Sequence, residues 1–153
     1  MENLDAHSEP PVWEEEAEIG KAYRIGITGP LGVGKSTLVN GIARQMRMKG
    51  WRVGILAVDP SSPISGGALL GDRVRMTDLV DDDGVFIRSF ATRGAWGGLA
   101  PVTSDAADLL DQAGFERILI ETVGVGQIEV DIAGACDLTI VVLEPSSGDA
   151  IQT

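Results

Sequence analysis

The chain has 153 residues, of which 44% are hydrophobic and 23% charged, and its formal net charge is −11. This length suffices for one domain with a buried core, and so negative a charge argues against a nucleic-acid partner or an anionic membrane surface. A single cysteine, Cys136, excludes an internal disulfide, and no apolar run approaches the roughly 18 residues of a membrane span. Cys136 lies among small and apolar residues, which favours a buried, inert thiol.

The first 22 residues differ in composition from the rest of the chain, and we predict a flexible acidic arm at 1–22 before a folded domain at 23–153. Residues 1–20 contain seven carboxylates, and no Lys or Arg precedes Lys21. This composition is typical of a poorly packed segment, and the lack of early basic residues is unlike a mitochondrial presequence. We therefore expect a cytoplasmic protein.

The most specific motif lies between the first two predicted elements. Tyr23–Thr28 is an apolar segment that predicts a strand, and Ser36–Lys49 has the spacing of a helix. Between them lies GPLGVGKS, the GxxxxGK[ST] loop in the strand-to-helix context that this motif requires. The motif indicates binding of a nucleoside triphosphate with Mg²⁺. The alternative is a glycine-rich turn that happens to precede a helix.

Each residue type in this loop has a chemical role. Glycines permit backbone conformations that turn consecutive amides towards an anion, and the positive end of the following helix adds to the field. Lys35 supplies a charge for the β- and γ-phosphate oxygens, Ser36 a hydroxyl for Mg²⁺, and Thr37 a contact with the α-phosphate. The predicted nucleotide-binding residues are Gly29, Pro30, Leu31, Gly32, Val33, Gly34, Lys35, Ser36 and Thr37.

The rest of the chain alternates between strand-like and helix-like segments. Strands are predicted at Arg52–Val58, Val85–Phe90, Arg117–Thr122 and Leu138–Leu143, and helices at Arg73–Leu79 and Val102–Ala113. This alternation predicts an α/β fold with three layers, in which helices cover both faces of a mainly parallel sheet, as in P-loop NTPases. In the first helix, Leu38, Ile42 and Met46 recur every four residues and are expected to face the core.

Acidic residues are expected at the sheet edge where ligands bind, beyond the carboxyl ends of the strands. Asp59 ends the second strand, Glu121 ends the fourth, and Asp72 follows the long loop after Asp59. A magnesium nucleotide needs carboxylates on the metal or on its waters, so we predict a metal site of Ser36, Asp59, Asp72 and Glu121. The alternatives are a turn residue for Asp59 and a helix N-cap for Asp72.

The segment ETVGVG places a glycine three residues after Glu121. We predict that Glu121 orients Mg²⁺ or its water and that the Gly124 amide bonds the γ-phosphate, with Gln127 and Glu129 on the same mobile loop. A plain glycine turn between strand and helix is the alternative. The predicted catalytic residues are then Lys35, Asp59, Glu121 and Gly124. Arg93 could act as an arginine finger or be a solvated loop residue.

Four motifs carry a resemblance to a known family. In chain order they are GITGPLGVGKSTLVN, AVDPSSPISGGALLGDRVRM, FATRGAWGGLA and ETVGVGQIEVDIAG. Together they resemble the accessory GTPases of methylmalonyl-CoA mutase, of the MeaB type, also called LAO/AO transport system kinases. The resemblance runs from about Tyr23 to the last residue. It implies GTP and Mg²⁺ binding, slow hydrolysis, and a homodimeric chaperone that loads and protects an adenosylcobalamin-dependent methylmalonyl-CoA mutase.

The family pattern extends beyond the last residue of this sequence. Family members have a further strand that ends in an Asn-Lys-x-Asp motif, which reads guanine, and then a C-terminal dimerisation region. This sequence ends at Thr153, in a segment that resembles a third mobile loop. We therefore expect a fragment whose fold is incomplete at the C-terminus, with an uncovered sheet edge and low stability.

Other functions fit parts of the sequence. A P-loop kinase or ATPase of small molecules is one alternative. A kinase would need a base and a pocket for the phosphoryl acceptor, and apart from the acidic residues already named the sequence supplies neither. A nickel-enzyme maturation GTPase usually has a His-rich tract or a Cys-based metal site, whereas this chain has one His and one Cys. A nucleotide-binding module without turnover is the third alternative, and a phosphate-release measurement distinguishes it from an enzyme.

Overall fold

The structure, a computed structural model, describes residues 22–59, 77–91, 99–122 and 127–145. Its strands are β1 (Tyr23–Thr28), β2 (Val53–Asp59), β3 (Val85–Ala91), β4 (Arg117–Thr122) and β5 (Leu138–Val141). Its helices are α1 (Lys35–Met48), α2 (Thr77–Val80), α3 (Leu99–Gln112) and α4 (Gln127–Gly134).

The strands form one five-stranded sheet in the order β3-β2-β4-β1-β5, and every pair is parallel. All strands therefore end at the same edge, which we call the carboxyl edge, and begin at the opposite one, the amino edge. β1 lies between β4 and β5, so the loop that follows β1 emerges next to the ends of both neighbours. The predicted α/β fold with a parallel sheet and helices is confirmed.

Helices cover both faces of the sheet because the strand side chains alternate between two apolar layers. On one face α1 packs Val39 and Ala43 against a cluster that includes Ile55. On the other face α3 and α4 pack Leu110 and Ile132 against a second cluster. Neighbouring residues of β4 divide between the clusters, since Leu119 belongs to the first and Ile118 and Ile120 to the second.

The buried stripe of α1 differs from the predicted one. Lys35, Val39 and Ala43 are the buried residues of this helix, whereas Ile42 and Met46 are only partly buried against the first cluster. Leu38 is 37% exposed. The prediction was displaced by one helical position because the small Ala43 allows α1 to lie close to the sheet, while the larger side chains flank the contact.

The start of α3 also differs from the prediction. The helix begins at Leu99, three residues before the predicted Val102, so Thr103 is an interior residue rather than an N-cap. Thr103 is only 1% exposed. Proline is compatible with the first turn of a helix, where an amide donor is not required, so Pro101 does not prevent the earlier start.

The last two elements differ from the prediction in other ways. Gln127 and Glu129 lie in the first turn of α4 rather than on a mobile loop. β5 ends at Val141, two residues before the predicted Leu143, and its side chains are mostly exposed. The exposure follows from its position at the edge of the sheet, with only β1 as a neighbour.

Polar contacts fix the start of β1 on the face covered by α3. The main-chain N–H of Ala22 donates to Asp111 Oδ1 at 3.1 Å, and Asp111 is buried. The Arg24 guanidinium donates to Asp108 Oδ1 at 2.6 Å. The main-chain N–H of Tyr23 donates to the Glu116 carbonyl at 3.0 Å, so the chain enters the sheet beside the start of β4.

Candidate functional site

The loop between β1 and α1 has the backbone geometry of an anion cradle. Gly29, Gly32 and Gly34 have φ values of 143°, 82° and 96°, and no other residue type has a positive φ in the ranges that the structure describes. L-residues rarely adopt these conformations. A Cβ at Gly29 would also overlap with the carbonyl oxygen of Val142, just after β5. The glycines of the motif are therefore required by conformation, and Gly29 also by packing.

The amino end of α1 lacks the side-chain features that usually stabilise the start of a helix. Its N-cap residue is Gly34, which offers no side-chain hydrogen bond, and the first turn contains no acidic residue. The first helical residue is instead Lys35, a cation at the positive end of the helix dipole. First-turn amides without a side-chain cap and with an adjacent ammonium are suited to an anion.

The side chain of Lys35 folds back over the loop. Its Nζ donates to the carbonyl oxygens of Gly29 at 2.8 Å and Pro30 at 2.6 Å, and the residue is 4% exposed. These two hydrogen bonds hold the ammonium at the loop. The predicted binding residues around it differ in exposure, since Leu31 is 79% exposed while Val33 and Pro30 are half-buried. Gly32 and Thr37 are also exposed.

Ser36 and Glu121 meet at the carboxyl edge. Ser36 Oγ donates to Glu121 Oε1 at 2.7 Å, and Glu121 is 4% exposed. In the sheet, Glu121 pairs with Ile27 of β1 and Ala57 of β2. Glu121 therefore lies at the end of the central strand, between β1 and β2, and its hydrogen bond with Ser36 joins it to the start of α1. Two predicted metal-site residues, one hydroxyl and one carboxylate, are brought together.

Asp59 is the last residue of β2 and is half-buried at the same edge, next to β4 in the sheet. Asp72 and Gly124, which we predicted as metal-site and catalytic residues, lie outside the described residues, as does Arg93. Within the described ranges no group of three or more His, Cys, Asp or Glu residues could hold a metal. Mg²⁺ does not require such a group, because it keeps water and phosphate oxygens as ligands.

Some features around the loop have no signal in the local sequence. The carbonyl of Val142 closes one side of Gly29, and no local pattern connects two residues so far apart in the chain. An apolar groove of about 960 Å³ runs along α1 from Gly34 to Trp51. Leu38, which is 37% exposed, and Ile42, which is only partly buried against the first cluster, line this groove, whereas their spacing predicted that both face the core. None of the helices in the described ranges has the length and apolar character that a membrane span requires.

The sequence is similar to those of known proteins. The sequence matches the family described as methylmalonyl Co-A mutase-associated GTPase MeaB over residues 6–153. A Pyrococcus abyssi protein named as a GTPase is 54% identical over 134 residues, which are 88% of this chain and 41% of that protein. The Mus musculus protein named methylmalonic aciduria type A homolog, mitochondrial, is 44% identical over 130 residues, which are 85% of this chain and 31% of that protein.

A solved structure has a similar fold. The crystal structure of an LAO/AO transport system kinase superposes with a TM-score of 0.63 at 30% identity, over 81% of this chain and 34% of the other. The chain thus spans less than half the length of this kinase and of the Pyrococcus abyssi and Mus musculus relatives.

Proposed function

Because the chain belongs to the family of methylmalonyl-CoA mutase-associated GTPases of the MeaB type, we propose that it binds GTP with Mg²⁺ at the loop between β1 and α1 and slowly hydrolyses the β–γ phosphoanhydride. The observation that carries this proposal is the amino end of α1. There a buried ammonium, three glycines with positive φ and a helix without a side-chain cap converge on one point. A polyanion is the ligand that such a site favours.

Lys35 supports phosphate binding through an exchange of acceptors. Its Nζ donates to the neutral carbonyl oxygens of Gly29 and Pro30. Phosphate oxygens are charged acceptors and form stronger hydrogen bonds with an ammonium. The side chain would need only a small movement to reach them, because it already lies over the loop.

Ser36 and Glu121 fit Mg²⁺. Their Oγ and Oε1 atoms lie 2.7 Å apart, and hydroxyl and carboxylate oxygens are ligands that this ion accepts. Ser36 would bind the ion directly and Glu121 would hold one of its waters. When bound, the ion neutralises charge that develops on the phosphates during transfer. Asp59, Asp72 and Gly124 stay predicted members of the same site.

The partner that the family description supports is methylmalonyl-CoA mutase. We propose that the chain, or the longer protein typical of its relatives, assists an adenosylcobalamin-dependent mutase in cofactor loading and protection, as a homodimer. Purified mutase should raise phosphate release several-fold in a coupled assay. Equal release with and without the mutase would argue against this partner while leaving nucleotide hydrolysis intact.

Binding to a fluorescent GTP analogue tests the site itself. We expect Lys35→Ala to weaken binding by at least roughly 10-fold, since hydrogen bonds to charged groups contribute about 1.5–3 kcal/mol. The matched control is Lys49→Ala, which removes the same side chain just beyond the other end of α1. Equal affinities of the two variants, both folded by circular dichroism, would contradict the assignment.

A second candidate, a P-loop kinase or ATPase, is favoured by the similar crystal structure, because that protein is named a transport system kinase. Competition of ATP and GTP for the labelled analogue distinguishes the two nucleotides. Retained binding without phosphate release would instead indicate a nucleotide-binding module. Cytoplasmic location stays a prediction that cell fractionation can test, since the name of the Mus musculus relative places that protein in mitochondria.

A further inference from the structure

A group of cations and aromatic rings lies at the amino edge of the sheet, at the opposite end of α1 from the phosphate loop. Lys49 Nζ is 5.2 Å and Arg117 Cζ is 3.9 Å from the centre of the Trp51 ring. Arg52 Cζ is 4.3 Å from the centre of the Phe115 ring. We call Lys49, Trp51, Arg52 and Arg117 the cationic surface.

The side chains of this surface form no salt bridge with a described residue, although one carboxylate lies beside them, since Glu116 Oε2 accepts from the main-chain N–H of Arg52 at 3.0 Å. Within the described part of the chain, Lys49, Arg52 and Arg117 form no salt bridge, whereas other arginines do, for example Arg47 with Asp82. The guanidinium groups of Arg52 and Arg117 donate instead to main-chain carbonyl oxygens, at 2.6 and 2.7 Å. Three cations with one neighbouring carboxylate, Glu116, leave this surface positive, although the whole chain has a net charge of −11.

The apolar groove along α1 adjoins the cationic surface. Lys49 and Trp51 line its end, and Leu38, Ile42 and Met46 line its length. An occupant that combines carboxylates with an apolar side chain would match both parts. The charge pattern therefore favours an acidic, partly apolar peptide.

The chain itself carries such a peptide next to this surface. Tyr23 pairs with Arg117 in the sheet, so β1 begins beside Arg117. Residues 1–20 contain seven carboxylates and no Lys or Arg, and four of the carboxylates lie in residues 14–18. When extended, the chain between Ala22 and the carboxylates spans up to about 13 Å for Glu18 and about 26 Å for Glu14.

We propose that residues 1–20 bind the cationic surface of their own chain, with the carboxylates of residues 14–18 on Lys49, Arg52 and Arg117 and with Trp13 in the adjoining groove. Attachment at Ala22 raises the effective concentration of the segment, so weak individual contacts can hold it. The interaction depends on charge and should weaken as salt screens it. It is independent of the proposed nucleotide hydrolysis.

Carbodiimide cross-linking of the full chain, read by peptide mass spectrometry, tests this proposal. The sequence has three lysines, Lys21, Lys35 and Lys49, and Lys35 is 4% exposed. We expect a link between residues 14–18 and Lys49 that is lost at about 1 M salt, where the Debye length falls to about 3 Å. Arg117→Gln should lower its yield several-fold. The matched control, Arg88→Gln, alters an exposed arginine of β3 and should not.

Mixing light and isotope-labelled chains identifies the source of the segment. Links within one isotopic form support the proposal, whereas links that join the two forms would assign the surface to a second copy and overturn it. Links to Lys21 alone, or equal yields of the Lys49 link in Arg117→Gln and Arg88→Gln, would also overturn it.

Discussion

Ser36 Oγ donates a hydrogen bond of 2.7 Å to Glu121 Oε1, although 85 positions separate the two residues in the chain. This bond joins the first turn of α1, just after the phosphate loop, to the end of β4, the strand next to β1 in the sheet. It therefore connects the residue predicted to bind Mg²⁺ with the residue predicted to orient the ion or its water. Stability and metal dependence should both respond when it is removed.

We expect Ser36→Ala to lower the free energy of unfolding by about 1–3 kcal/mol in the absence of nucleotide, because the buried Glu121 carboxylate loses a donor. Urea denaturation measures this difference. Ser104→Ala, at a half-buried serine of α3, is the matched control and should change stability by only a few tenths of a kcal/mol. The prediction is wrong if the two variants are equally stable.

Gly29→Ala should destabilise the fold by at least about 2 kcal/mol, because residue 29 has a φ of 143° and its added Cβ would overlap with the Val142 carbonyl oxygen. Gly41→Ala is the control. Gly41 lies inside α1 with open space around it, so alanine should raise stability by about 0.5–1 kcal/mol. Opposite shifts of the two urea midpoints are the expected result, and shifts of the same sign would contradict the packing at Gly29.

Asp82 should contribute to stability in a pH-dependent way. Hydrogen bonds from the Arg47 guanidinium, at 2.9 Å to each oxygen, and from the Gly84 amide lower the pKa of the Asp82 carboxyl. A lowered folded-state pKa means that the contribution is complete above the unfolded-state pKa of about 3.9 and is lost as the pH falls through the folded-state value.

The natural chain should have a larger free energy of unfolding than Asp82→Asn. This difference should be constant from about pH 5 to 7 and should decrease below about pH 4. Urea midpoints at four pH values measure it. Asp83→Asn, which removes the exposed neighbouring carboxylate and leaves the contact between Arg47 and Asp82 in place, is the matched control. A difference that stays constant down to pH 3 would show that the Arg47 interaction does not depend on the Asp82 charge.

Cys136 should react slowly with thiol reagents in the folded protein. Cys136 is half-buried rather than fully buried as predicted, and this partial burial raises the pKa of its thiol to about 11, from an ordinary value of 9.0. A pKa this far above its ordinary value lowers the thiolate population at neutral pH by roughly one to two orders of magnitude. Iodoacetamide labelling at pH 7.5 should therefore be at least roughly 10-fold slower in the folded protein than in the urea-unfolded chain. Similar rates in the two states would contradict the predicted inert thiol.

The phosphate loop and most strands could be predicted from sequence because their signals are local. The motif from Gly29 to Ser36 requires particular residue types at fixed spacing, and the central strands are short apolar runs. β4 was predicted at its observed bounds, Arg117–Thr122.

The errors occurred where contacts between distant parts of the chain decide the outcome. The buried face of α1 depends on how closely Ala43 approaches the sheet, and spacing alone favoured Leu38 instead. The early start of α3 buries Thr103, a residue that local preference assigns to a cap. The roles of Asp72 and Gly124 stay predictions, because both residues lie outside the described part of the chain.

The edge position of β5 has a consequence for communication through the fold. The Val142 amide donates to the Thr28 carbonyl at 2.8 Å, and the Val142 carbonyl fills the space where a side chain at Gly29 would lie. The backbone of Val142, just after β5, thus contacts the backbone of Thr28 and Gly29 at the start of the phosphate loop. A polypeptide that pairs with the free edge of β5 would therefore also restrict the backbone contact between Val142 and Gly29. Hydrogen exchange at the amides of both residues should then slow together.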